Sequence, residues 1–180
     1  MLIAREKRKE NITEYIIYMW QVEDTIRAFN FDLDEIEKKI ISRFDQPENV
    51  KKEIYEWYRD FAALMKNEKV EKSGHVQFLK NLVSELNDLH LELINKPDEV
   101  EYINLYSEAL PLIREMNARQ QWRSENEIET CLTSVYIYYL MRLKNKEISQ
   151  ATDKAMKVFV RLLSSLSTRY HQLEKGGYSN

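Results

Sequence analysis

Asn11-Ile12-Thr13-Glu14-Tyr15-Ile16-Ile17-Tyr18-Met19-Trp20-Gln21-Val22-Glu23-Asp24-Thr25-Ile26-Arg27-Ala28-Phe29 is the stretch whose reading decides the fold, because its apolar residues recur at helical spacing. At about 100° per residue, Ile12, Tyr15, Ile16, Met19, Val22 and Ile26 share one broad apolar face. Glu23 falls in the middle of that face, and Arg27 follows one turn later, where a carboxylate and a guanidinium can meet.

Outward from this helix the chain is poor in breakers. Three Gly and three Pro in 180 residues leave little room for β-turns, while 43% hydrophobic residues suffice for a sizeable core. The sequence therefore predicts a single all-α domain over 1–180, an irregular antiparallel bundle of six or seven helices with a loose tail at about 175–180. The first helix starts either near residue 3 or at Asn11, and Asp32 with Glu35 marks a short second helix carrying Leu33, Ile36, Ile40 and Phe44 to near Asp45. Pro47 opens a third, with Val50, Ile54, Trp57, Phe61 and Leu64 as its apolar stripe. The fourth runs from about His75 to Asn95, and Pro97 starts a fifth that Pro111 should kink or break. Ser124 and Glu127 form an S-x-x-E capping box for a sixth helix, whose face includes Ile128, Leu132, Val135, Tyr136, Tyr139 and Leu143. Ser149 caps the seventh, which ends before Gly176-Gly177. Helix starts are unevenly spaced, against a solenoid of fixed repeats.

The 27 basic and 30 acidic residues are interspersed, giving a net charge of −3 and no phosphate-binding surface, so nucleic acid is not favoured. Cys131 is the single cysteine, which points to a reducing compartment. Arg5 to Lys9 follow directly on a very short apolar start, and no window offers the ~18 apolar residues of a membrane span. A cytoplasmic protein is expected.

Arg5-Glu6-Lys7-Arg8-Lys9-Glu10-Asn11-Ile12, followed by Tyr18-Met19-Trp20-Gln21-Val22-Glu23-Asp24, resembles the start of a bacterial family of short proteins known only as a domain of unknown function. The similarity in length suggests that the resemblance covers nearly the whole chain. It implies an all-helical cytoplasmic protein and carries over no catalytic residue.

Signals for chemistry are sparse. Glu-x-x-His pairs, a phosphate loop and nucleophile motifs are all lacking, so no metal, cofactor or catalytic residue is assigned and the reading leans away from an enzyme. His75 and His90 fall near the apolar face of the fourth helix, ~22 Å apart along it. His90 reads as a hydrogen-bonded core or interface histidine, and Cys131 as a small core residue. Eleven Tyr suit core, pocket or interface positions with a wet rim.

Buried charge is the sharpest signal. Glu23 must find a cation, either Arg27 or Arg142 across helices. Glu23, Arg27 and Arg142, with Trp20 and Tyr139 beside them, form the candidate polar cluster, read either as an ion pair setting helix register or as the floor of a pocket. The first functional expectation is a non-enzymatic binding or scaffold protein working through self-association or a protein partner. The second is a small-molecule binder or unrecognised enzyme built on that cluster, and a weaker third is RNA or membrane-surface contact through Arg5 to Lys9.

Overall fold

A computed structural model describes residues 2–119 and 124–176. Its elements are α1 (Leu2–Glu10), α2 (Ile12–Ala28), α3 (Leu33–Lys39), a 3₁₀ turn (Ile41–Arg43), α4 (Glu48–Asn67), α5 (Gln77–Ile94), α6 (Val100–Arg119), α7 (Glu127–Leu143) and α8 (Gln150–Glu174). No strand occurs among the described residues. Among the described residues eight helices replace the six or seven expected, because Asn11 separates two helices that periodicity alone merges. The Asn11 side-chain oxygen accepts from the Thr13 amide at 3.0 Å and from its hydroxyl at 2.7 Å, ending one helix and starting the next.

The chain divides into two compact units, Met1–Glu10 with Glu14–Asn81, and Asn11–Thr13 with Leu82–Asn180. In the first, α3 and the 3₁₀ turn pack on α4. Asp32 caps α3 by accepting from the Glu35 amide at 3.1 Å, and the helix ends at Lys39, before the expected Asp45, where the 3₁₀ turn takes over. The buried face of α4 is Ile54, Tyr58, Phe61, Ala62 and Met65. Trp57 and Leu64, assigned to that face from spacing, are only half-buried, so the stripe is rotated towards Tyr58 and Met65.

In the second unit α6, α7 and α8 pack against one another. Their common core includes Tyr102, Ala109, Ile113, Ile128, Leu132, Phe159, Leu162 and Leu166, all buried. Ser167 on α8 accepts from the Ile12 amide at 3.0 Å, supplying one donor that the first turn of α2 leaves open.

Pro111 is exposed inside α6, and the helix runs unbroken from Val100 to Arg119, so no break occurs there. The cap of α7 also differs from expectation. Asn126, not Ser124, accepts from the Glu129 amide at 2.8 Å, while Glu129 accepts from the Glu125 amide at 2.6 Å. Asn126 and Glu129 have the same three-residue spacing as Ser124 and Glu127, two positions further on, and Asn is as good a cap as Ser. Ser149 caps α8 through the Thr152 amide at 3.1 Å, as its position predicts. Gly176 closes α8 at φ +73°, a backbone conformation that favours glycine, and of the tail expected at about 175–180, residues 177–180 lie outside the described residues.

Candidate functional site

Three members of the predicted polar cluster, Trp20, Glu23 and Arg27, lie along α2 in the first unit. Glu23 is fully buried. Its Oε1 accepts from the Val76 amide at 2.9 Å, and its Oε2 lies 2.5 Å from Nδ1 of His75. Since a carboxylate only accepts, the proton of that contact belongs on Nδ1. Trp20 covers the imidazole, its ring stacked at 4.4 Å between centroids and 17° between planes.

The side chain that Glu23 meets is therefore that of His75, 52 residues away in sequence, and not an arginine. Arg27 instead turns to the segment joining α4 and α5. Its Nη2 donates to the Val70 carbonyl at 3.0 Å and to the Gly74 carbonyl, and its Nη1 meets Asp24 at 2.9 Å. Glu23 and Arg27 thus take opposite kinds of group from one connection: the carboxylate receives an amide and an imidazole, the guanidinium two carbonyls. Gly74 holds φ +84°, which lets the chain turn between Val70 and Val76. The arrangement is a clasp that fastens residues 70–76 to α2.

Arg142 and Tyr139, the other two predicted members, belong to the second unit. Both are exposed, Tyr139 by 38%. Arg142 lies over the Tyr138 ring, 5.8 Å from its centroid, and the Tyr138 hydroxyl donates to Asp153 at 2.5 Å. Hydrogen bonds from Lys157 and Tyr138 hold the Asp153 carboxyl below the usual carboxylate range. A cavity of about 470 Å³ opens here, with Arg142, Lys154 and Lys157 against the single acid Asp153.

A second buried polar group is centred on His90, read from the sequence as a hydrogen-bonded core or interface histidine; its partners on other helices are what the sequence does not show. The imidazole is 1% exposed, with Nδ1 2.8 Å from the Tyr102 hydroxyl and Nε2 3.5 Å from Glu127, outside the normal hydrogen-bond range of about 2.7–3.2 Å. Tyr106 packs its ring edge-on at 4.8 Å. Burial lowers the His90 pKa, with the Glu127 charge opposing the shift. Burial, helped by a hydrogen bond with Glu127, pushes the Tyr106 hydroxyl up to about 12. Cys131 is also fully buried, and burial raises its thiol well above the ordinary range, so it stays a protonated core group. Among the described residues no group of three or more His, Cys, Asp or Glu could hold a metal ion.

A histidine whose folded pKa lies below its unfolded value of about 6.5 contributes stability above that pH and loses it as pH falls towards the folded value. His90 should therefore make the second unit less stable on going from about pH 7.5 to about pH 5.5. In His90→Gln the drop in melting temperature across that interval should be smaller than in the parent chain. Parallel pH profiles for the two would overturn the assignment.

No helix of the described residues is long and apolar enough to cross a membrane. No curated protein and no solved structure matches the chain. One family profile does, over residues 1–177, and by that near-complete coverage the chain belongs to the family described as Domain of unknown function (DUF4924).

Proposed function

We propose that this is a non-enzymatic binding or scaffold protein of the cytoplasm that works through a protein interface, with self-association as the form to test first. The observation that carries the reading is the far half of α7. Ile128 and Leu132 are fully buried, yet the same helical stripe continues to Tyr139, 38% exposed, and Leu143, 61% exposed. An apolar stripe that leaves its cover and ends beside an arginine has the composition of an interface anchor. Arg142 stands between those two residues in sequence, its guanidinium over the Tyr138 ring at 5.8 Å from the centroid. The buried thiol of Cys131 and the inward bonds of His90 support a role without covalent chemistry. The rival small-molecule reading on Glu23, Arg27 and Arg142 has less support, since Glu23 and Arg27 are engaged by groups of their own unit.

The paired variant Tyr139→Glu, Leu143→Glu places two charges on exposed positions, so melting should change by no more than about 0.5 kcal/mol equivalent at each site. In sedimentation velocity from low to high micromolar concentration, the parent chain should associate and the variant should require at least tenfold more protein to do so. A parent chain that stays monomeric throughout, or a variant that associates equally well, would overturn the reading of this stripe.

A further inference from the structure

A second cavity lies wholly within the first unit and is unrelated to the α7 stripe. It has a volume of about 360 Å³, near the small end of ligand pockets, which run from about 300 to 1,000 Å³. Its floor is Met19 and Phe61, both buried, and its half-buried walls are Trp57 and Phe78. Trp57 and Phe61 lie parallel, 5.5 Å between centroids and 2° between planes, and Phe78 meets Phe61 at 68° and 6.3 Å. This gives a flat aromatic slot with one edge-on wall.

Two cations complete the lining. Arg5 and Arg8, spaced three apart on α1, share one side of the helix and reach the same cavity. Among the described residues neither is paired with a carboxylate; Arg8 lies over the Tyr15 ring at 5.8 Å, while the nearby Glu14 takes Lys7 at 3.1 Å. Guanidiniums not taken by acids, beside exposed aromatic faces, complement a molecule with an apolar body and an anionic end. A hydrocarbon alone would leave the arginines unused, and a hydrophilic phosphate alone would leave the slot exposed.

We infer that this cavity binds a small amphipathic organic anion, an aromatic or acyl carboxylate or sulfonate, whose apolar body lies in the Trp57, Phe61 and Phe78 slot and whose charged group meets Arg5 and Arg8. The arginines supply the discrimination between anion and neutral analogue. The aromatic residues supply most of the contact area.

The probe is anilinonaphthalene sulfonate, with phenylnaphthylamine as its uncharged counterpart and dodecanoate as competitor, followed by fluorescence and by calorimetry on the full chain. One saturable site is expected, with sulfonate displaced by dodecanoate. The paired variant Arg5→Ala, Arg8→Ala should weaken the sulfonate at least tenfold and leave phenylnaphthylamine within about twofold of its parent affinity. Arg5→Lys with Arg8→Lys, which keeps both charges, should retain more sulfonate affinity than the alanine pair. Circular dichroism showing unchanged helix content secures the comparison, and Phe78→Ala should weaken both probes. Absence of a saturable site, or equal sulfonate affinity in the alanine pair and the parent chain, would overturn the inference.

Discussion

Replacing Glu23 with alanine is expected to destabilise the first unit by about 2–4 kcal/mol, the combined loss of two charge-assisted hydrogen bonds and the exposure of their buried donors to a cavity. The carboxylate is 0% exposed, and its two oxygens hold the Val76 amide at 2.9 Å and His75 at 2.5 Å, so neither oxygen is replaceable by water without opening the clasp. Glu23→Gln keeps an oxygen for the Val76 amide and should cost less, about 1–2 kcal/mol, since only the charged component of the pair is lost. Two measurements separate this from general loosening. Urea unfolding should place alanine below glutamine below the parent chain, and hydrogen exchange at the Val76 amide should accelerate more than exchange within α8. If Glu23→Ala unfolds at the parent midpoint, the clasp contributes nothing and the buried carboxylate has another role.

The geometry of that clasp also shows what a single sequence can and cannot say about a site. A helical wheel registers neighbours three and four residues away, so it picks out Arg27 as the partner of Glu23 and correctly marks Glu23 as a charge in an apolar face. It has no term for a connection that returns from 52 residues downstream, which is where His75 comes from. The available hint is the Gly74-His75 pair: a glycine that permits a positive φ, followed by a side chain able to bond a carboxylate. Arg27 was legible as a cation near the core, but the carbonyls of Val70 and Gly74 that it serves belong to irregular backbone, whose direction no periodicity encodes.

The same contrast runs through the fold. The helical class and the caps at Asp32 and Ser149 were legible because they depend on residues within one turn. The cap of α7 was legible as a kind of motif but not as a position, since Ser124 and Asn126 both precede a glutamate at the required spacing. Faces were harder. On α4 the wheel allows both Trp57 and Tyr58, and the choice of Tyr58 is made by what packs across from the helix. On α7 the stripe of Ile128 and Leu132 leads without interruption to Tyr139 and Leu143, whose exposure depends on where neighbouring helices stop. The wheel assigns all four to the core, and the two that leave it carry the proposed interface.

Tyr102→Ala should produce the largest loss in the second unit, about 3–5 kcal/mol, the usual cost of deleting a fully buried aromatic ring. The reason lies in the number of elements that meet at this side chain. From α6, Tyr102 places its hydroxyl 2.8 Å from Nδ1 of His90 on α5, and its ring lies under the Arg169 guanidinium of α8 at 5.4 Å. Arg169 is itself fixed by Glu99 at 2.7 Å and the Ser165 hydroxyl at 2.8 Å, so the cation is positioned before it meets the ring. Tyr102→Phe removes only the hydroxyl and isolates the His90 bond; it should cost about 1–3 kcal/mol, because His90 is then left buried with neither nitrogen at hydrogen-bond distance from a partner. A double-mutant cycle of Tyr102→Phe with His90→Gln, read by urea unfolding at about pH 7.5, should give a coupling energy of at least 0.5 kcal/mol. Additive losses would mean that the hydroxyl and the imidazole contribute independently, and the pH dependence assigned to His90 would then rest on its burial without the Tyr102 hydrogen bond.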